Sequence, residues 1–136
     1  MYNIKFQDSM QRHSNSNSFN LLIAGGRDFS NYELLARRCA AYIAENCGVQ
    51  EPTILSGRAC GADSLGEQFA REYRLGCRYF PAQWEKFGRA AGPMRNRQMA
   101  EVADGAVVFW DGRSRGTRSM IGYLRQMGVP HVVVPY

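Results

Sequence analysis

Paired cysteines are missing from this chain. It holds four, Cys39, Cys47, Cys60 and Cys77, with no C-x-x-C pair among them, and its two histidines, His13 and His131, stand far apart. That spacing offers no zinc site and no disulfide framework, so neither a metal nor a cofactor is expected. Cys39 and Cys77 are expected to be buried thiols, with Cys60 more exposed in a glycine-rich loop. Long apolar runs are missing as well. None approaches a membrane span, and no basic n-region followed by an apolar h-region opens the sequence. With the unpaired cysteines, this leads us to expect a cytoplasmic protein with no membrane partner. Acidic residues are the scarcer charge, 12 against 17 basic ones, for a formal net charge of +5. A surplus of that sign favours phosphorylated small molecules or polyanions as partners. Two familiar phosphate signatures are also lacking, the G-x-G-x-x-G of dinucleotide folds and the Walker A loop ending in Gly-Lys-Ser/Thr.

What is present is an ordinary globular composition, 45% hydrophobic and 21% charged, over 136 residues, a length that suits one domain with its own core. Residues 1–18 stand apart. Tyr2, Ile4 and Phe6 alternate with polar residues as in a short edge strand, which offers a route to pairing between chains in a homo-oligomer. The polar stretch over residues 7–18, QDSMQRHSNSNS, buries too little apolar surface to offset the entropy of ordering and reads as a flexible leader. From residue 19 to 136 short apolar runs alternate with helical periodicity. The runs are Phe19 to Ala24, Thr53 to Leu55, Cys77 to Phe80, Ala106 to Trp110 and His131 to Val134; helices are expected over about 30–46, 62–75, 93–103 and 116–127. In the first helix Leu34, Leu35, Ala41, Tyr42 and Ala44 make the apolar face, and Pro93 suits the first position of the third. Such alternation implies βαβ units: an α/β, Rossmann-like, doubly wound sheet of about five parallel strands with helices on both faces.

Ligands of open α/β sheets lie beyond the carboxyl ends of the strands, and four loops there carry unusual residues. Gly25-Gly26-Arg27-Asp28 follows the first strand, with paired glycines that open backbone amides to a phosphate, and with Asp28 or Ser30 as a helix cap. Ser56-Gly57-Arg58-Ala59-Cys60-Gly61-Ala62-Asp63 runs into the second helix; Asp63 suits either a ribose hydroxyl or the helix dipole. The long stretch over residues 81–97 offers Trp84 and Phe87 for stacking on a base, and Arg95 and Asn96 for a phosphate or ribose. Asp111-Gly112-Arg113-Ser114-Arg115-Gly116-Thr117 forms a further phosphate cradle, with Ser114, Gly116 and Thr117 at its centre.

These segments, GGRDF, SGRACGADS, FGRAAGPMRNRQM and VVFWDGRSRGT, resemble the YspA/YpsA-related branch of the SLOG superfamily, whose relatives include the lonely-guy phosphoribohydrolases and the DNA-processing protein DprA. The likeness covers residues 19–134. It implies a Rossmann-like fold and a site for nucleotides or nucleotide-derived signals. By position that site takes in Gly25, Gly26, Arg27, Asp28, Ser56, Gly57, Gly61, Ala62, Asp63, Gly92, Arg95, Asn96, Ser114, Gly116 and Thr117, beside Trp84 from the residue reading. Lonely-guy enzymes carry P-G-G-x-G-T-x-x-E; here Met120 replaces the glutamate and no P-G-G precedes. The expected function is therefore binding or sensing of a phosphorylated, nucleotide-derived ligand. The alternatives are phosphoribohydrolase activity with Asp63 as the catalytic candidate, and DprA-like binding of single-stranded DNA.

Overall fold

The computed structural model describes residues 17–136. The edge strand expected over residues 2–6 lies outside the described residues, as does the expected leader up to residue 16; at residue 18 the chain is already in the sheet. The strands are β1 (Ser18–Gly25), β2 (Glu51–Ser56), β3 (Gly76–Tyr79), β4 (Gly105–Trp110) and β5 (His131–Pro135). Between them lie α1 (Tyr32–Asn46), α2 (Ala62–Glu72), a short α3 (Trp84–Phe87) with a 3-10 turn (Gly88–Ala90), α4 (Ala91–Val102) and α5 (Arg115–Gln126). All four pairings are parallel and the strand order is β3-β2-β1-β4-β5. This is the Rossmann-like α/β sheet that the alternation predicts.

Successive strand side chains point to opposite faces, and each face has its own core. Leu21, Ile23, Ile54, Val107 and Phe109 pack with Leu35 and Cys39 of α1 and Phe69 of α2. Leu22, Ala24, Leu55, Ala106 and Val108 pack with Met99 and Ala100 of α4 and Met120, Ile121 and Leu124 of α5. The chain thus builds β1, β2 and β3 with α1 and α2 on one face. It then returns to the other side of β1, with α4 and α5 on the second face. Strand order reverses between β1 and β4, and a crevice opens where the two halves part at their carboxyl ends.

Several local expectations change. The buried stripe of α1 is Leu35, Cys39 and Tyr42, spaced four and three residues apart; Leu34 is half-buried and Ala41 and Ala44 are exposed. Its cap is Asn31, whose side chain accepts from the Leu34 amide at 3.0 Å, not Asp28 or Ser30. The stretch over residues 81–90 is not an open loop but folds into α3 and the 3-10 turn. Helix α4 starts at Ala91, so Pro93 is its third residue; the absent N–H still falls within the first turn, where amides have no intrahelical acceptor. The apolar run from His131 to Val134 forms β5 at the edge of the sheet, where Val132 is exposed. Cys39 is buried, which pushes its thiol up to about 12, whereas Cys77 on the β3 edge is only half-buried and Cys60 is exposed. Among the described residues no helix is long and apolar enough to cross a membrane.

Candidate functional site

The crevice between the ends of β1 and β4 has a volume of about 400 Å³, within the range of small-molecule sites. Gly25, Gly26, Arg27, Asp28, Asp63, Asn96, Ser114, Gly116 and Thr117 line it, so three of the four sequence segments, and Asn96 from the remaining one, converge there. The two central strand tips nearly touch. The Gly26 amide donates to the Phe109 carbonyl at 3.1 Å, and a Cβ on Gly25 would stand 2.3 Å from that oxygen. The Asp28 carboxylate accepts from the Tyr136 hydroxyl at 2.6 Å, which joins the Gly26-Arg27-Asp28 loop to the end of β5.

Asp63 is only 6% exposed. It sits in the first turn of α2, and its Oδ2 accepts from the Ala59 amide at 3.1 Å. Burial pushes its carboxyl up to about 6, with the Ala59 amide and the charge of Arg95 pulling the other way. Asp63 therefore does more than offset the helix dipole: it is a buried carboxylate at a cavity wall, the setting in which perturbed acids concentrate. Asn96 continues this polar wall. Its Oδ1 accepts from Arg95 Nε at 2.9 Å and its amide nitrogen donates to the Gly116 carbonyl at 3.3 Å, so the start of α4 is tied to the start of α5.

The turn into α5 is held open by its own side chains. Asp111 accepts from the amides of Arg113 and Ser114, both at 2.8 Å, and these bonds lower its carboxyl from the usual range. Ser114 is the N-cap and accepts from the Thr117 amide at 3.3 Å. The amides of Arg115 and Gly116 meet no acceptor among the described residues. A Cβ placed on Gly116 would meet nothing within 4 Å. Gly116 is exposed and lines the crevice.

Not every expected residue lines it. Gly61 and Ala62 lie behind the wall: the Ala62 amide donates to the Gly26 carbonyl at 3.1 Å, and a Cβ on Gly61 would stand 2.2 Å from that same oxygen. Ser56 is buried, bonded to Glu67 Oε2 at 2.6 Å and to the Arg58 amide at 3.1 Å, and so braces the loop from below. Gly92 lies under the Trp84 ring, 3.1 Å from where its Cβ would be. Gly57, Trp84 and Arg95 line a second recess of about 270 Å³, together with Arg27, Arg58, Ala59, Cys60, Pro81 and Ala82. Arg95 is committed within the protein, donating from Nη1 to the Gly57 carbonyl as well as to Asn96. Asp111 and Ala59 line the crevice without having been singled out; Asp111 after a strand, followed by Gly and Ser, carries the signal of a side chain that closes its own turn. Tyr136 carries no such signal, because its partner is 108 residues away.

Fold and crevice together define a Rossmann-like α/β domain with a crevice at the strand-order reversal. The model of the YspA, cpYpsA-related SLOG family matches residues 19–87, just over half of the chain, and the chain belongs to that family. Among solved structures it is similar to DNA processing protein A of Streptococcus pneumoniae, 15% identical with a TM-score of 0.61, over 90% of this chain and 53% of that one. It is also similar to DNA processing protein A of Helicobacter pylori, whose structure concerns its single-stranded DNA binding mode, at 17% identity and a TM-score of 0.61, over 98% of this chain and 69% of that one. The chain spans about half the length of the first of these. At such identities the likeness is one of fold. No curated protein matches the chain.

Proposed function

We propose that this protein binds a phosphorylated, nucleotide-derived ligand in the crevice between β1 and β4. The observation that carries the reading is the meeting of a buried carboxylate, Asp63, with an open helix start at Gly116 across one cavity. A phosphate lies on the first turn of α5, where the Arg115 and Gly116 amides and the helix dipole favour an anion. Ribose hydroxyls donate to Asp63 and are bridged by Asn96. Arg27, exposed on the rim and without an ion-pair partner among the described residues, supplies counter-charge. Family membership and the fold shared with DNA processing protein A support nucleotide-related binding at this coarse level.

The test is thermal unfolding with a panel of nucleoside monophosphates and the matching nucleosides. Ligand that binds only the native state adds about 2.7 kcal/mol of stability at a hundredfold excess over Kd. At least one nucleotide is expected to raise Tm, and its nucleoside to raise it less. No rise with any nucleotide at millimolar concentration overturns the reading.

One observation favours a second reading, cleavage of the N-glycosidic bond: the Asp63 carboxyl, pushed up to about 6, is suited to acid-base work. Met120 supplies no substitute for a glutamate there, being 1% exposed and packed in the core on the α4 and α5 face. Chromatographic detection of free base from a bound nucleotide, abolished in Asp63→Asn, selects this reading; an intact nucleotide after prolonged incubation dismisses it.

A further inference from the structure

The second recess shares a wall with the crevice but not its chemistry. Arg27 and Ala59 line both. Beside the shared Arg27, the crevice has three carboxylates, Asp28, Asp63 and Asp111; the recess has two further guanidinium groups, Arg58 and Arg95, and no carboxylate. Trp84 forms part of the recess wall and is 49% exposed. Gly57 stands where the two cavities meet: a Cβ there would lie 2.7 Å from Arg95 Nη1, on the recess side, and 2.8 Å from Asp63 Oδ2, on the crevice side. The absence of a side chain at this point lets a carboxylate of one cavity and a cation of the other approach the same spot.

A mononucleotide held as proposed above, with its phosphate on α5 and its ribose at Asp63, leaves the indole and the cationic recess unused. We infer that the ligand carries two nucleotide units joined through phosphate. One unit occupies the crevice, the linking phosphate lies against Arg27 on the shared wall, and the second base stacks on Trp84 within the recess. An exposed indole flanked by arginines is the arrangement on which bases stack without regard to sequence. Arg58 is held for this role, its Nη1 bonded to Glu67 at 2.9 Å and its guanidinium 4.8 Å from the centre of the Tyr79 ring. Arg27, unpaired among the described residues, is the cation left for a linking phosphate. The chemistry is that of a dinucleotide, whether free or as a stretch of single-stranded nucleic acid. The inference rests on the proposed function, since it places the first unit in the same crevice.

The experiment is calorimetric titration of the full chain with AMP, with the linear dinucleotide pApA and with a ten-residue adenylate oligonucleotide. Stacking of one base on an aromatic side chain corresponds to roughly 5- to 150-fold in affinity, so pApA is expected to bind at least about fivefold more tightly than AMP. Trp84→Ala is expected to bring the ratio of the two affinities close to one, and Trp84→Phe, which keeps a ring, to preserve most of it. Arg27→Gln is expected to reduce the ratio and the salt dependence of pApA binding together. Equal affinities for AMP and pApA in the parent overturn the inference and leave the proposed function standing; so does a ratio that Trp84→Ala does not change. Binding of none of the three overturns both. An oligonucleotide that binds far more tightly than pApA upholds the two-unit site and assigns it to single strands, and equal binding upholds it for a free dinucleotide.

Discussion

Two helices begin beside the same cavity with a glycine, and the two glycines do opposite things. At the start of α2, Gly61 has φ of +74° and faces the backbone of Gly26 and Arg27, where a Cβ would stand 2.2 Å from a carbonyl oxygen. At the start of α5, Gly116 is helical and faces open space. The first glycine lets one loop pack onto another; the second leaves room for something that is not protein. In sequence SGRACGADS and DGRSRGT look like equivalent phosphate cradles, yet the first amide of α2, on Ala62, is taken by the Gly26 carbonyl, while the first amide of α5, on Arg115, meets no acceptor among the described residues. A glycine before a helix therefore marks close approach, and what approaches is settled by the fold.

The largest effect that sharpens this contrast lies one turn further along α5. Met120→Glu, the change that recreates the residue of the related hydrolases, sets a carboxylate among Leu22, Leu55 and Val108 in the core and not in the crevice. A destabilisation of about 3 to 5 kcal/mol is expected, measured as a fall in the urea midpoint, with no gain in nucleotide cleavage. Gly61→Ala comes next. It combines a left-handed backbone with a clash against main chain, for an expected loss of about 3 kcal/mol, again read from denaturant unfolding. A loss below 1 kcal/mol would show that the Gly26-Arg27 loop is free to move, and would erase the distinction between the two glycines.

Asp63 gives the third prediction, with a sign fixed by its shift. Its folded-state pKa is raised from 3.8 to about 6, so between those values the folded protein binds more protons than the unfolded chain. Its contribution to stability is then fully present below about pH 4 and is lost as pH rises through about 6. Asp63→Asn is expected to remove this dependence, being the more stable protein at pH 8 by up to about 3 kcal/mol, with the difference closing toward pH 4. Urea midpoints of both proteins across that range test it; parallel curves would place Asp63 in water and not at a buried wall.

The sheet was legible because its strands are short, apolar and regularly spaced. Phe19 to Ala24 and Ala106 to Trp110 read as strands from their apolar runs, and they flank the reversal that makes the crevice. The edges were less so, because a run such as HVVV reads the same whether a helix covers both faces or not. The residues that line the crevice were legible as glycines and charges after strands, but their separate contacts were not. Whether Gly61 or Gly116 faces a void, whether Arg95 reaches a ligand or the Gly57 carbonyl, and whether Met120 points to the crevice or the core depend on contacts distant in sequence. Asp28 shows the same limit, being bonded to Tyr136 and not to the helix it precedes.

The most direct test of the central claim is calorimetric titration of Gly116→Val beside the parent with whichever nucleoside monophosphate stabilises the parent most. Because a Cβ at residue 116 meets nothing within 4 Å and valine is no worse than glycine in a helix, stability is expected to change by less than about 1 kcal/mol. Gly116 lines the crevice, so an isopropyl group added there is expected to lower nucleotide affinity at least tenfold, about 1.4 kcal/mol. A Gly116→Val protein that is as stable as the parent and binds the nucleotide with undiminished affinity would contradict the account and move the ligand away from the start of α5.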